Sequence, residues 1–293
     1  MAKFASPTKQ ASSVMRALQG DTLRAVGTVR NYEQSLTRVA EWARSERLSG
    51  GLRSLTREQA ISYLEFRGQQ VGQKTLDLDR QALQAMFRLK GELKAAQRLP
   101  VVKSEHAQAL KSRAYTPDQV SLVTKAQTQR NSLATEVGCA AGLRAHELLT
   151  LRPASERSPD VRPARTEKFM GRDGVLYTVQ GKGGLIRHVM LPHDLSAQVE
   201  RLRLDAPRRV TDRGVHYQQH YDLNGGHRWS SSFSSASSRA LGWSAGAHGV
   251  RHSYAQQRMR ELQHLGLKRS LALEIVSQEM GHFRPSITEV YLR

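Results

Sequence analysis

The sequence has a single cysteine, Cys139, in 293 residues. One cysteine excludes an internal disulfide and any cysteine-rich zinc site, and it suits a reducing, cytoplasmic setting. No apolar run approaches the roughly 20 residues that cross a bilayer. The longest, Val137 to Leu143, falls far short, so no membrane partner is expected. The opening MAKFASPTKQASS lacks the apolar stretch of a secretory signal. Acidic residues are scarce: 26 Asp and Glu face 45 Lys and Arg, a net charge of +19. No cluster of carboxylates stands out.

What is present points to a polyanion. The basic residues are spread along the whole chain rather than gathered in a tail. Both halves are basic and the first is the denser, which suits two domains gripping one nucleic-acid duplex. Hydrophobic residues make up 39% and recur throughout, which excludes wholesale disorder and allows two cores.

The pattern divides the chain. Residues 1–20, rich in Ser, Ala, Gln and Lys, read as a flexible basic arm. Residues 21–100 read as an all-helical domain. Val29, Tyr32, Leu36, Val39 and Ala40 recur mostly at three- and four-residue steps, and Ser49-Gly50-Gly51 breaks that helix. Thr56-Arg57-Glu58-Gln59 is a capping box, and a third helix runs from Thr75 to Lys94. Residues 101–114 read as a linker. At Thr116-Pro117-Asp118 a cap, a first-turn proline and a dipole-matched carboxylate open a second domain, 115–293.

The second domain reads as mixed. Ser132 to Ala141 is a helix ended by Gly142. Val175–Val179 and Leu185–Leu191 read as strands flanking the glycine-rich turn Gln180-Gly181-Lys182-Gly183-Gly184. Residues 217–246 are poorly patterned and read as mostly loop with a short helix. From His248 the chain reads as helical to its end, with Gly281 as a C-terminal cap and Ser286 with Glu289 as a last capping box. The fold class is mainly α with a small β-hairpin or sheet (α+β).

Four groups could carry chemistry. In Gly142-Leu143-Arg144-Ala145-His146-Glu147 an arginine follows a helix end; as a metal site His146-Glu147 is weak, because the next turn offers Thr150. His248 and Arg251 are three apart and can aim at one point, an arrangement suited to a phosphate. Tyr291 follows His282 by nine residues. Lys182 sits at a hairpin tip that could enter a groove. Singly, each also fits plain structure: a helix corner, a surface turn, a packing tyrosine, a solvated lysine.

In this order the strings GLRAHELLTLR, VQGKGGLIRHVML, HGVRHSYA and MGHFRPSITEVYL resemble the tyrosine recombinase family, which includes phage integrases and chromosome-dimer resolvases. The resemblance covers most of the second domain. The first is similar to the family's helical core-binding domain only in position, size and pattern. The resemblance implies an N-terminal core-binding domain plus a C-terminal catalytic domain that clamp a double-stranded DNA. It implies Tyr291 as nucleophile, and Arg144 and Arg251 as clamps on the phosphate oxygens. His248 would be the acid/base, His282 a hydrogen-bond donor to the phosphate, and Lys182 the proton donor to the leaving 5′ oxygen. Glu147 would orient the set. The product would be a 3′-phosphotyrosyl link, made without ATP, cofactor or metal.

The resemblance further implies a homotetramer on DNA with a dimer at each site, and a cytoplasmic, nucleoid-associated protein. Integration or excision of a mobile element is the preferred role. A type IB topoisomerase-like enzyme, a non-catalytic DNA-binding regulator and an RNA-binding protein are the alternatives. Family members usually continue past the tyrosine into a segment that packs on a neighbouring protomer; here two residues follow Tyr291, which leaves the assembly contacts open. Base readout is expected from the helix Thr75–Lys94 and from the region of Arg228–Arg239.

Overall fold

Apolar stripes at helical spacing must be buried, and this chain buries them in three separate clusters. The computed structural model describes residues 5–19, 23, 26–107, 112–282 and 284–293. It divides into one unit over Met1–Ala109 and another over Leu110–Arg293. The expected helical start at residue 21 and part of the expected linker, 108–111, lie outside the described residues.

Among the described residues the first unit holds the α-helices α1 (Pro7–Leu18), α2 (Val26–Ser45), α3 (Arg57–Gly68) and α4 (Gln73–Leu89). Leu36, Val39, Ala40 and Ala43 of α2 meet Ala60, Tyr63 and Leu64 of α3 and Leu83, Met86 and Phe87 of α4 in one core. Gly50 and Gly51 take positive φ where α2 has ended, and the Thr56–Gln59 capping box opens α3.

The segment expected to be a flexible arm is instead helical over α1. Ser6 caps it, Pro7 starts it, and Ala11, Val14, Met15 and Leu18 form an i, i+3, i+4, i+7 stripe buried in the core. The small and polar residues between them concealed that stripe.

The second unit begins with α5 (Pro117–Lys125), opened by the Thr116 capping box, and α6 (Gln129–Ala141). A three-stranded antiparallel sheet follows, ordered β1 (Arg152–Pro153), β2 (Val175–Gln180), β3 (Ile186–Leu191). After α7 (His193–Glu200) comes a two-stranded ribbon of β4 (Arg203–Asp212) and β5 (Val215–Tyr221). Four helices complete the unit: α8 (Gly226–Leu241), α9 (Gly249–His264), α10 (Arg269–Glu279) and α11 (Pro285–Glu289). The main core joins Val123, Val137, Tyr177, Val189, Leu191, Trp229, Phe233 and Val250; a second packs Tyr254, Met259, Ile275, Val276 and Met280. The fold is mainly helical with small antiparallel sheets, as the sequence led us to expect. Among the described residues, no helix is long and apolar enough to cross a membrane.

Two expectations fail here. Residues 217–246 are not mostly loop: they hold the end of β5 and the whole of α8. Serines weaken the helical signal of GHRWSSSFSSASSRAL because their hydroxyls compete for backbone hydrogen bonds. Burial of Trp229, Phe233, Ala236 and Ser237 on one face supplies the stabilisation that propensity does not. The last helix is not opened by a Ser286–Glu289 box either. Arg284 holds the cap position without a side-chain bond, and Glu289 pairs with Arg269 at 2.8 Å.

Candidate active site

The site is assembled from three chain reversals. At the first, Gly142 ends α6 in the left-handed conformation, with φ of 60°. The chain turns and presents Arg144. A 3-10 turn, Glu147–Thr150, then carries Glu147 back beneath it. One Glu147 oxygen takes the Arg144 Nη1 at 2.8 Å and the other takes the Arg144 backbone N–H at 2.8 Å.

Glu147 is fully buried. It also accepts from Arg187 Nη2 at 2.8 Å and lies 3.8 Å from Arg251 Nη1. Burial alone would raise its pKa; Arg187, Arg251 and Arg144 overcome that and hold the carboxyl at about 2. One ionised carboxylate thus serves three guanidiniums, and two positive charges remain uncompensated.

The second reversal is the entry to α9. His248 occupies its cap position, with Arg251, His252 and Gln256 following. The spacing places His248, His252 and Gln256 on one face and sends Arg251 inward. Arg251 is wholly buried and donates to the carbonyls of Gly142 and Met280, the latter at 3.1 Å. Burial and Arg144 lower its pKa to about 10, which leaves it charged at neutral pH.

The third reversal ends α10. Gly281 has φ of 70°; its N–H donates to Gln278 O, and the His282 N–H donates to Ser277 O at 2.8 Å. This paired closure is a Schellman motif, and it delivers His282 into the site. The His282 Nε2 accepts from Arg251 Nη2 at 3.1 Å, because a guanidinium can only donate. Its Nδ1 lies 2.8 Å from Thr288 Oγ1 and therefore carries the proton of a neutral ring. Burial, then Arg251 and Arg144, hold the imidazole down at about 3.

Tyr291 follows α11 directly. Its Oη lies 3.2 Å from His248 Nε2. Its ring packs on His252 at 4.7 Å and on His282 at 5.2 Å, and lies 5.6 Å from the Arg251 guanidinium. Gln256 Nε2 donates to the Tyr291 carbonyl at 3.3 Å and to the Arg293 carbonyl at 2.9 Å. His248 is exposed, and partial burial of its ring, then Arg251, His252, Arg113 and Arg144, lower its pKa well below the ordinary value.

Arg144, His248, Arg251, His282 and Tyr291 are therefore in one connected network. Lys182 is not: it stands exposed at the β2–β3 tip. The base of that turn does lie against the cluster, since a Cβ at Gly181 would sit 3.3 Å from Glu147 Oε1 and 3.8 Å from Arg144 Nη1.

Arg187 was missed from the sequence. It alternates with Val189 and Leu191 on the buried face of β3, and an arginine in that register was the available signal. His252 and Gln256 were missed as supports of Tyr291; their four-residue spacing from His248 was visible. Among the described residues no group of His, Cys, Asp or Glu could hold a metal ion.

Gly142 has no room for a side chain. A Cβ there would lie 2.6 Å from Tyr254 Cδ1, in a backbone region that side chains avoid. Gly142→Ala is expected to cost about 1–3 kcal/mol. Urea unfolding followed by tryptophan fluorescence measures it, and an unchanged midpoint would contradict the packing described.

No protein-family model matches the sequence, and no curated protein matches it. Solved structures are. The fold is that of the tyrosine recombinases. The chain is similar to XerH site-specific recombinase bound to palindromic difH substrate in a post-cleavage complex, at 14% identity and a TM-score of 0.59, covering 100% of this chain and 94% of that one. It is similar to a lambda integrase tetramer bound to a Holliday junction, at 15% identity and a TM-score of 0.62, covering 97% and 76%. It is also similar to the Tn1549 transposon integrase in complex with circular intermediate DNA, at 17% identity and a TM-score of 0.51, covering 99% and 95%.

Proposed function

We propose that this chain is a site-specific DNA recombinase that cuts and rejoins strands through Tyr291. The observation that carries the reading is the Tyr291 hydroxyl held 3.2 Å from a histidine nitrogen, beside three arginines gathered on one buried carboxylate.

A phenol is a weak nucleophile until its proton is taken, and the His248 Nε2 lone pair is within reach of it. Oη attacks the scissile phosphorus and the proton passes to His248. Arg144 and Arg251 take the non-bridging oxygens, where the uncompensated charge of the cluster meets the charge growing in the phosphorane. Arg251 reaches the phosphate once the Tyr291 ring moves off it. His282 then loses its bond from Arg251, and an Nε2–H tautomer can donate to the same phosphate. Lys182, from the mobile reach of its long side chain, protonates the 5′ oxygen as the P–O5′ bond breaks. The phosphoryl group stays on Oη as a 3′-phosphotyrosyl link. Attack by a 5′ hydroxyl reverses the step, so no external energy source is required.

The first unit serves as the core-binding domain in this reading. Two copies occupy a site and four make an exchange complex in this reading; lambda integrase has been solved as a dimer bound to a core site and as a tetramer bound to a Holliday junction. Integration or excision of a mobile element is the role we favour, on the similarity to lambda integrase and the Tn1549 transposon integrase.

The test uses a pool of nicked duplexes of randomised sequence, in EDTA, resolved on a denaturing gel. A covalent protein–DNA band whose peptide map places the nucleotide on Tyr291 supports the reading. Duplex retained with no covalent band overturns it in favour of a DNA-binding regulator.

The pH profile gives a second check. His248 acts as base only when neutral, and its pKa is lowered, so the neutral form persists below the ordinary histidine range. Single-turnover cleavage is expected to keep its rate as the pH falls through about 6.5. An acid limb at or above that value would remove His248 from the role.

A further inference from the structure

The β4–β5 ribbon has two faces of opposite character. Its strands pair Arg208 with Gln219, Arg209 with Gln218, Val210 with Tyr217, Thr211 with His216 and Asp212 with Val215. The turn between them, Arg213-Gly214, has φ of 50° and 80°, which matches the right-handed twist of a hairpin. Side chains alternate, so neighbouring pairs point to opposite faces.

One face is tied into the fold at several points, although Val215 on it is exposed. Gln219 is buried and donates to Leu223 O. The Tyr217 ring packs 6.2 Å from that of His146. Asp212 accepts from the His227 N–H at 2.8 Å, and Arg208 binds Asp222 at 2.7 Å. These ties root the ribbon beside the arginine cluster, because His146 is two residues past Arg144 and Gly226 N–H donates to Ala145 O at 2.7 Å.

The other face is unused. Arg209, Thr211, His216 and Gln218 are all exposed. Thr211 and His216 bind each other at 2.8 Å. Neither Arg209 nor Gln218 makes a side-chain hydrogen bond or ion pair among the described residues. Over these four paired positions the face carries no carboxylate and no apolar side chain; Pro207 and Asp205 lie further along the same strand. A protein-binding face would centre on apolar and aromatic groups, which are absent here. A guanidinium and a carboxamide side by side are the two groups that bind guanine and adenine edges bidentately. A two-stranded ribbon also fits the major groove, about 12 Å wide.

We propose that the Arg209–Gln218 face of this ribbon enters the major groove of duplex DNA close to the cleaved bond and contributes to sequence choice. The proposal rests on the DNA-processing reading above. It adds a specificity element outside the helix Thr75–Lys94 and the region of Arg228–Arg239 expected from the sequence.

The test is selection from a pool of duplexes of randomised sequence, with sequencing of the retained DNA. Wild type, Arg209→Ala/Gln218→Ala and Arg209→Lys are compared. Both variants change exposed side chains, and thermal melts confirm that they fold. The expected result is that the wild type enriches a motif and the double variant loses preference at one or two base pairs of it, by roughly ten- to hundredfold. Arg209→Lys keeps the charge but not the planar fork, and is expected to lose the same preference while its salt dependence is unchanged. An identical motif from the double variant overturns the proposal and leaves the recombinase reading standing. So does full preference in Arg209→Lys, which would reduce the face to a phosphate contact. A changed sedimentation coefficient with an unchanged motif assigns the face to protein contact and also overturns it. No retention of duplex by the wild type overturns the recombinase reading itself.

Discussion

Glu147→Ala is expected to destabilise the second unit by about 3–5 kcal/mol and to abolish strand cleavage. The carboxylate is fully buried and is the shared counter-charge of Arg144, Arg187 and Arg251. Removing it leaves three like charges in a space of low dielectric. The side chains of Arg187 and Arg251 are only 5% and 0% exposed and cannot turn to water for compensation. The Arg144 backbone N–H loses its acceptor as well. Glu147→Gln keeps the volume and one acceptor oxygen, and should fall between the two.

The sign with pH follows from the lowered carboxyl. Its contribution is complete above the ordinary glutamate range and is lost as the pH falls toward about 2. The gap between wild type and Glu147→Ala is therefore widest near neutrality and closes in acid. Trp229 and Trp243 report on this unit in urea melts. Equal midpoints at pH 7 would show that the carboxylate is not the counter-ion described.

Tyr291→Phe is expected to remove the covalent adduct, a loss of more than about 10⁴-fold, with duplex retention unchanged. The substitution deletes one oxygen. The ring contacts with His252 and His282 persist, and only the bond to His248 disappears, at a cost near 1 kcal/mol. Binding and folding are thus separated from chemistry in one variant. The measurement is the denaturing gel used for the wild type, beside an equilibrium retention assay on the same DNA pool. An adduct of undiminished yield would move the nucleophile to another residue.

Much of the site could be read in the chain because its parts lie at helix ends, where local chemistry is strongest. Gly142 and Gly281 are glycines that close helices, and Arg144 and His282 lie just beyond them. His248 and Arg251 share one turn. Arg187 was not legible in the same way. Its meaning lies in a contact with Glu147, 40 residues away, and with the carbonyl of Glu279, 92 away. His282 Nε2 accepts from Arg251 in this arrangement, a contact the sequence did not reveal. A residue type names the possible protons, but only its neighbours decide where they sit.

By itself the sequence determined the starts of α3 and α5 at their capping boxes, the hairpin carrying Lys182, the basic character of both units and the order of the candidate residues. These are properties of adjacent residues, whose side chains compete for the same few backbone groups. The tertiary structure alone decided that α1 joins the core, that the serine-rich α8 is a helix, and that a polar ribbon stands with one face unused. It also placed three arginines on one buried carboxylate. Each of those depends on packing between segments distant in the chain, where burial and Coulomb energy outweigh local propensity and leave no period to read.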